Sequence, residues 1–336
     1  MNKNLLVVAA ISTLLAACGG GGGDSNSPST PAGTAPGATT PPPAPAPTSV
    51  QPATSAPAPT YPSSDARLAA FSDLNTYRIA MGVGALRQDT NLDLAADNHL
   101  GYMKANGSIG HMETAGNPGF TGANPYDQAV AAGASKAQWV GQASDGSLLC
   151  LANFKNTVYH LQGITSNQET VGLAIRDSYC VINFGLVAGA NGSGYGLPQW
   201  GGQQMPTSSF AYSPIDNENV TGAFTPGSEQ PNPAPDLTMA GHPIMFRVNV
   251  ANASDVLTVS NFTLTGPGGA AIPARILVPS NAKSGSVASA VEDANLYRGV
   301  VFLLPTQRMA AGAYTATFVG ARNGVAITKS WSFTAF

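Results

Sequence analysis

Four histidines, one acid at the head of a helical stretch and three cysteines are the residues of this chain whose types could do chemistry. His111 follows a glycine-rich turn in NGSIGHMETAGNPGF, and His160 closes FKNTVYH. Asp127 lies in NPYDQAVAAG, three residues past Asn124, where an acid favours the positive end of a helix whatever its function. Two imidazoles and a carboxylate are donors that zinc or a similar cation takes, with water completing the shell. The spacing between them is long and irregular, so His111, Asp127 and His160 are candidate ligands and not a motif. His99 falls inside a helical pattern and reads as a core histidine. His242, at the entrance of a strand, reads as a surface residue. The chain has no G-x-S-x-G, H-E-x-x-H, Walker loop, dinucleotide fingerprint or C-x-x-C pair.

The elements that must position these residues follow from periodicity. After Ser64-Asp65, a capping pair, Leu68, Phe71, Leu74 and Met81 recur at helical spacing until Gly82. A second helix follows Thr90 and ends at Gly107, carrying His99. A third opens on Asn124-Pro125, a cap followed by proline in the first turn, and runs to Gly133. A fourth is expected over roughly 148–162, with His160 near its end. In WVGQAS, Trp139 and Val140 read as buried and Gly141 as a turn. Val171, Leu173 and Ile175 then alternate, Arg176-Asp177-Ser178 turns, and Val181 to Phe184 returns, which is a hairpin. Helices followed by strands within residues 65–188 describe an α+β domain.

On either side the composition changes. Residues 1–18 carry Lys3, an apolar run from Leu5 to Ile11 and a small-residue end, Leu15-Ala16-Ala17-Cys18. This resembles a secretory signal with a bacterial lipobox, in which Cys18 is acylated and anchors the protein to a membrane. Gly19 after the cysteine resembles lipoproteins passed on to the outer membrane, with the domains in the periplasm or on the cell surface. Residues 19–64 hold 12 of the 26 prolines and no hydrophobic period, the composition of a disordered tether. Residues 189–235 read as a Gly/Pro-rich connector that partly packs on its neighbours. From 236 to 336 the period is two: Ile244, Phe246 and Val248 alternate with Met245, Arg247 and Asn249, and the last hairpin turns at Asn323-Gly324. About seven short strands without a helix imply an all-β, immunoglobulin-like sandwich.

Cys150 and Cys180 form an even pair in an exported chain and are expected to be bridged, two buried free thiols being the other reading. Net charge is −3 and charged residues are 10%, so no basic field invites nucleic acid.

The order of LNTYRIAMGVGALRQDTNLDLAADNHLGYM, GHM, NPYDQAVAAG, WVGQ, FKNTVYHLQGI and VGLAIRDSYCVINFG resembles the CAP superfamily of cysteine-rich secretory, antigen 5 and pathogenesis-related proteins. The resemblance covers about residues 65–188. It implies an α-β-α sandwich and a shallow cleft lined by two histidines and two acids. Carried over residue by residue, His111 and His160 match the histidines and Asp127 the first acid. Gln142 stands where the second acid, a glutamate, is usual, and Ala143 where asparagine is usual. An amide accepts no proton at neutral pH, so a mechanism needing that carboxylate as a base is weakened.

The leading expectation is a lipid-anchored binding or adhesion module whose partner is a hydrophobic small molecule, a metal, peptidoglycan or another envelope protein. The alternative is a metal-dependent hydrolase, peptidase or cell-wall-acting, using His111, Asp127 and His160, with zinc as the cofactor.

Overall fold

The computed structural model describes residues 49–188, 192–197 and 201–336. The expected signal segment, Cys18 and the tether as far as residue 48 lie outside these residues. The described residues belong to one compact unit. The chain joins that unit earlier than its composition implies. β1 (Ser49–Val50) pairs in parallel with Gly202 and Gln203. Tyr61 is buried against Phe71 and donates its hydroxyl to Asp93. Residues 49–64, expected in the tether, are thus docked, because their backbone and one aromatic ring find partners that the proline count does not reveal.

Local signals set the helices of the middle domain. α1 (Ala66–Met81) begins where the Asp65 carboxylate accepts the Arg67 N–H, and stops at Gly82 with φ 79°. β2 (Arg87–Gln88) leads into α2 (Thr90–Asn106), capped by Asp89 and closed by Gly107. α3 (Pro125–Ala131) is capped by Asn124. WVGQASD is a strand throughout, β3 (Trp139–Asp145), and Gly141 is not a turn. Glycine stands there because a Cβ would collide with the Leu197 side chain. The expected long fourth helix is two short ones, α4 (Cys150–Lys155) and α5 (Tyr159–Ile164), for a reason given below.

β4 (Thr170–Arg176) and β5 (Tyr179–Leu186) form the expected hairpin, with Asp177 and Ser178 at positive φ in its turn. With β6 (Gly194–Tyr195) the sheet order is β2-β4-β5-β3-β6. One face packs on α2, through Leu100 and Met103 against Ala174 and Val181. At Gly172 a Cβ would collide with the Leu92 backbone, which sets how closely α2 approaches. The other face packs Leu173, Ile182 and Phe184 against Phe71 and Leu74 of α1 and Phe154 and Leu161 of α4 and α5. Helices on both faces make the α-β-α sandwich.

The β-rich part begins inside the expected connector. After β7 (Gly202–Gln203), β8 (Phe210–Ser213) and β9 (Asn219–Val220) are each edge strands of a sandwich sheet. The remaining strands are β10 (Ile244–Val248), β11 (Leu257–Thr265), β12 (Ala271–Ile272), β13 (Ala274–Val278), β14 (Val291–Glu292), β15 (Val300–Pro305), β16 (Gly312–Arg322) and β17 (Val325–Ala335). They form two sheets, β14-β13-β15-β10-β8 and β12-β11-β16-β17-β9. Phe246 stacks on Phe318 across the sandwich with ring centroids 3.9 Å apart.

β10 and β15 are buried along their whole length. Ile244, Phe246, Val301 and Leu303 face the second sheet, while Met245, Val300, Phe302 and Leu304 join the core of the α-β-α domain. These two central strands of the first sandwich sheet therefore have no solvent face. Arg247, which reads as outward-pointing, is buried and donates to the Thr165 carbonyl and to Asn167 Oδ1. His242, read as a surface residue, is also buried, and burial first, then Lys155, pushes its imidazole down to about 3. Arg78 of α1 is buried too. It donates to the carbonyls of Val83, Gly84, Ile164 and Ser166 and to Gln168 Oε1, and pairs with no carboxylate among the described residues. The two guanidiniums, one from each part of the molecule, hold the carbonyls of residues 164–166 from both sides.

Candidate functional site

The loop that carries His111 is braced from below. His99 and Glu113 are buried and pair Nδ1 to Oε1 at 2.9 Å, while His99 Nε2 meets the Gly110 carbonyl at 2.8 Å. Glu113 Oε2 also accepts the Thr121 and Gly122 N–H groups, so one acid closes both ends of the loop. His99 is a core histidine that fixes its neighbour. Above this brace His111 Nδ1 donates to Gln142 Oε1 at 3.0 Å. Gln142 Nε2 donates to Gln128 Oε1 and Asn183 Oδ1, and Gln128 Nε2 returns to the His111 carbonyl. Gln142 thus spends its whole amide on a closed network. Burial holds the His111 imidazole below the usual histidine range, against the pull of the Gln142 hydrogen bond, and leaves it neutral near pH 7.

His160 meets an acid that the sequence reading missed. Glu229, from the expected connector, is buried, and its Oε1 accepts from His160 Nδ1 at 2.9 Å. The same carboxylate accepts the backbone N–H groups of Val158, Tyr159 and His160 at 2.8, 2.9 and 3.0 Å. These are the orphan donors of a helix start, and α5 has no cap of its own. Glu229 caps it from about seventy residues away, which is why the expected single helix breaks into α4 and α5. The ring of His160 stacks on Phe154 at 4.7 Å. No local pattern around Ser228-Glu229-Gln230-Pro231 marks this acid. The one available signal was the lack of a capping residue before Tyr159.

Asp127 lies elsewhere. It is exposed, accepts from Asn124 Nδ2 at 2.8 Å and does not line the cleft, whereas Gln128, one residue on, points inward to Gln142. The position expected from the helix dipole is the position it holds. Among the described residues no three His, Cys, Asp or Glu side chains converge on a point that could hold a metal. His111, Asp127 and His160 do not form the expected ligand set, and zinc finds no fitting cage here.

The cleft itself is about 240 Å³ and is built from three parts of the chain. The middle domain supplies His111, Gln142 and His160, the connector Glu229 to Pro231, and the sandwich Asn295 and Tyr297. Tyr159 donates to Asp293 at 2.8 Å, and Gln162 takes the Tyr297 N–H and donates to the Asn295 carbonyl. Burial, then Tyr195, pushes the Tyr297 phenol up to about 12.

A second cavity lies along α1 and α4. This groove is about 760 Å³ and runs past Ala69, Ala70 and Tyr77 on one side and Leu148, Leu149 and Leu151 on the other. Leu149 is 72% exposed and Leu148 53%, at its rim. The disulfide Cys150–Cys180 ties the start of α4 to β5, and Cys150 is part of the lining. At one end Lys155 pairs with Glu218 at 2.6 Å and lies over the Tyr77 ring.

Residues 71–178 match the model of the cysteine-rich secretory protein family, CAP. The middle domain is a CAP domain. Its helices and sheet are those that the resemblance implied, and membership supports a general binding or interaction role. No curated protein matches the chain. Among solved structures, selenomethionine PcoC, a copper resistance protein from Escherichia coli, is similar over 37% of this chain and 95% of that one, at 14% identity. Its TM-score is 0.22, too low to inform the fold or the chemistry here.

Proposed function

We propose that this protein is a binding module that holds an apolar small molecule, an acyl chain or a compound of similar size, in the α1–α4 groove of its CAP domain. The groove carries the reading. Its volume lies within the range of small-molecule sites, alanine and leucine make up much of its wall beside charged groups such as Asp73 and Lys155, and large apolar side chains stand exposed at its mouth. We place the protein in the bacterial envelope, held by acylated Cys18 in the outer membrane and facing the periplasm or the exterior. Organic extraction of the purified protein followed by mass spectrometry tests the first part. Co-purified apolar ligand that is lost in Ala69→Trp supports it, and equal recovery from both proteins refutes it. For the anchor, Cys18→Ser is expected to move the protein from the membrane to the soluble fraction, and unchanged membrane association contradicts the placement.

Hydrolysis in the cleft is the second reading, and the Glu229–His160 pair is the observation behind it. A carboxylate on Nδ1 leaves Nε2 as a base. Against it, Glu229 is occupied by three backbone N–H groups, Gln142 is no acid, and the described lining holds no Ser, Thr, Cys or Lys. Turnover of peptide or peptidoglycan that disappears in His160→Ala would favour it over binding.

A further inference from the structure

A third cavity, of about 420 Å³, lies where the docked N-terminal segment meets the edge of the CAP sheet. Its walls are small and apolar: Val50, Ala53 and Ala56 from that segment, Ala85 before β2, and Val187 after β5. Gln203 locks the walls together. Its Oε1 accepts the Ala53 N–H at 2.7 Å, and its Nε2 donates to the carbonyls of Ala85 and Gln168 at 2.8 and 3.0 Å. The cavity is therefore formed before anything enters it.

Two opposite charges border this space and do not pair. Glu169 is only 6% exposed. Its Oε2 accepts long bonds from the Val187 and Ala188 N–H groups, at 3.5 and 3.3 Å, and its Oε1 has no partner among the described residues. A buried carboxylate with so little compensation is costly, and native proteins rarely leave one. Arg87 is exposed on the same lining, and its guanidinium makes no hydrogen bond or ion pair among the described residues. Only backbone joins the two residues, the Arg87 N–H donating to the Glu169 carbonyl.

We propose that this cavity binds a small aliphatic zwitterion, a free α-amino acid with an apolar side chain. Its ammonium meets Glu169, its carboxylate meets Arg87, and its side chain lies on the alanine and valine walls. A simple cation would satisfy Glu169 and be repelled by Arg87, and a simple anion would meet the reverse. Only a ligand with both charges matches both residues. The site is separate from the His111–His160 cleft and from the α1–α4 groove.

Calorimetric titration of the full-length protein with L-leucine, isopentylamine and isovalerate tests this. Leucine is expected to bind one to one, about tenfold or more tighter than either half-ligand, and Glu169→Gln and Arg87→Ala are each expected to weaken it about tenfold. Glu169→Gln keeps the side-chain volume and removes a buried charge, so its melting temperature is expected to match or exceed that of the parent. Absence of leucine binding overturns the proposal, as does unchanged affinity in Glu169→Gln. Strong coupling of the two substitutions in ligand-free melts also overturns it, because the two charges would then be each other's partners.

Discussion

The cleft beside α5 and the groove along α4 belong to the same CAP domain yet differ in what they leave unsatisfied. In the cleft His111, Gln142 and His160 each have a side-chain partner. His111 is held by Gln142, Gln142 by Gln128 and Asn183, and His160 by Glu229. The walls are closed by connector and sandwich. In the groove Lys155 pairs with Glu218 at one end, and the surface of Ala69, Ala70, Leu148, Leu149 and Leu151 stays open. Groups that satisfy one another build structure, and surface left uncovered is what remains to bind. On the proposed function, the difference gives stability to the cleft and recognition to the groove.

Breaking the bridge that floors the groove is expected to have the largest effect. Cys150→Ser with Cys180→Ser frees a loop of sequence separation 30 and should cost about 3.5 kcal/mol on the chain-entropy model. Denaturant unfolding would read that loss, and apolar-ligand binding should fall with it. Next comes the cleft's own fastening. Glu229→Gln keeps the shape and removes the charge that accepts four N–H groups, and is expected to destabilise by roughly 2 kcal/mol while leaving groove affinity unchanged. A drop in groove affinity with no change in stability would reverse the two roles.

The pH dependence sharpens the same point. His111 in the cleft and His242 beneath the sandwich both have folded pKa values depressed by burial. Below pH 6.5 the unfolded chain takes up protons that the folded chain refuses, so stability falls as pH falls. The slope should reach up to about 1.4 kcal/mol per pH unit for each histidine, for His242 over the window from about 6.5 down to about 3. Urea unfolding between pH 7.5 and 5 would show it, and a flat profile would mean that neither ring is enclosed as described. The smallest effect belongs to Asp127→Asn, at the exposed start of α3. It is expected to change stability by less than about 0.5 kcal/mol and to change ligand binding not at all.

What could be read from the sequence was whatever its own neighbourhood decides. The caps Asp65 and Asn124, the stops Gly82 and Gly107, the hairpin at Asp177-Ser178 and the turn at Asn323-Gly324 are each written within a few residues of where they act. So was the position of His111 and His160 on one cleft, through the order of family-like segments. The missed features are long-range. Glu229 reaches His160 across 69 residues and splits a stretch whose periodicity alone describes one helix. Arg247 and Met245 alternate with Phe246 as an outward face should, but the CAP domain covers that face, so alternation no longer separates core from solvent. Gly141 looks like a turn because its reason for being glycine, the Leu197 side chain, comes 56 residues later.

Displacement of a fluorescent fatty acid from the parent protein, Ala69→Trp and His160→Ala, compared side by side, separates the two cavities most directly. The groove is expected to account for the binding: Ala69→Trp should weaken it about tenfold or more, and His160→Ala should leave it within about twofold. Binding that survives Ala69→Trp and is lost in His160→Ala would contradict the assignment and move recognition into the cleft.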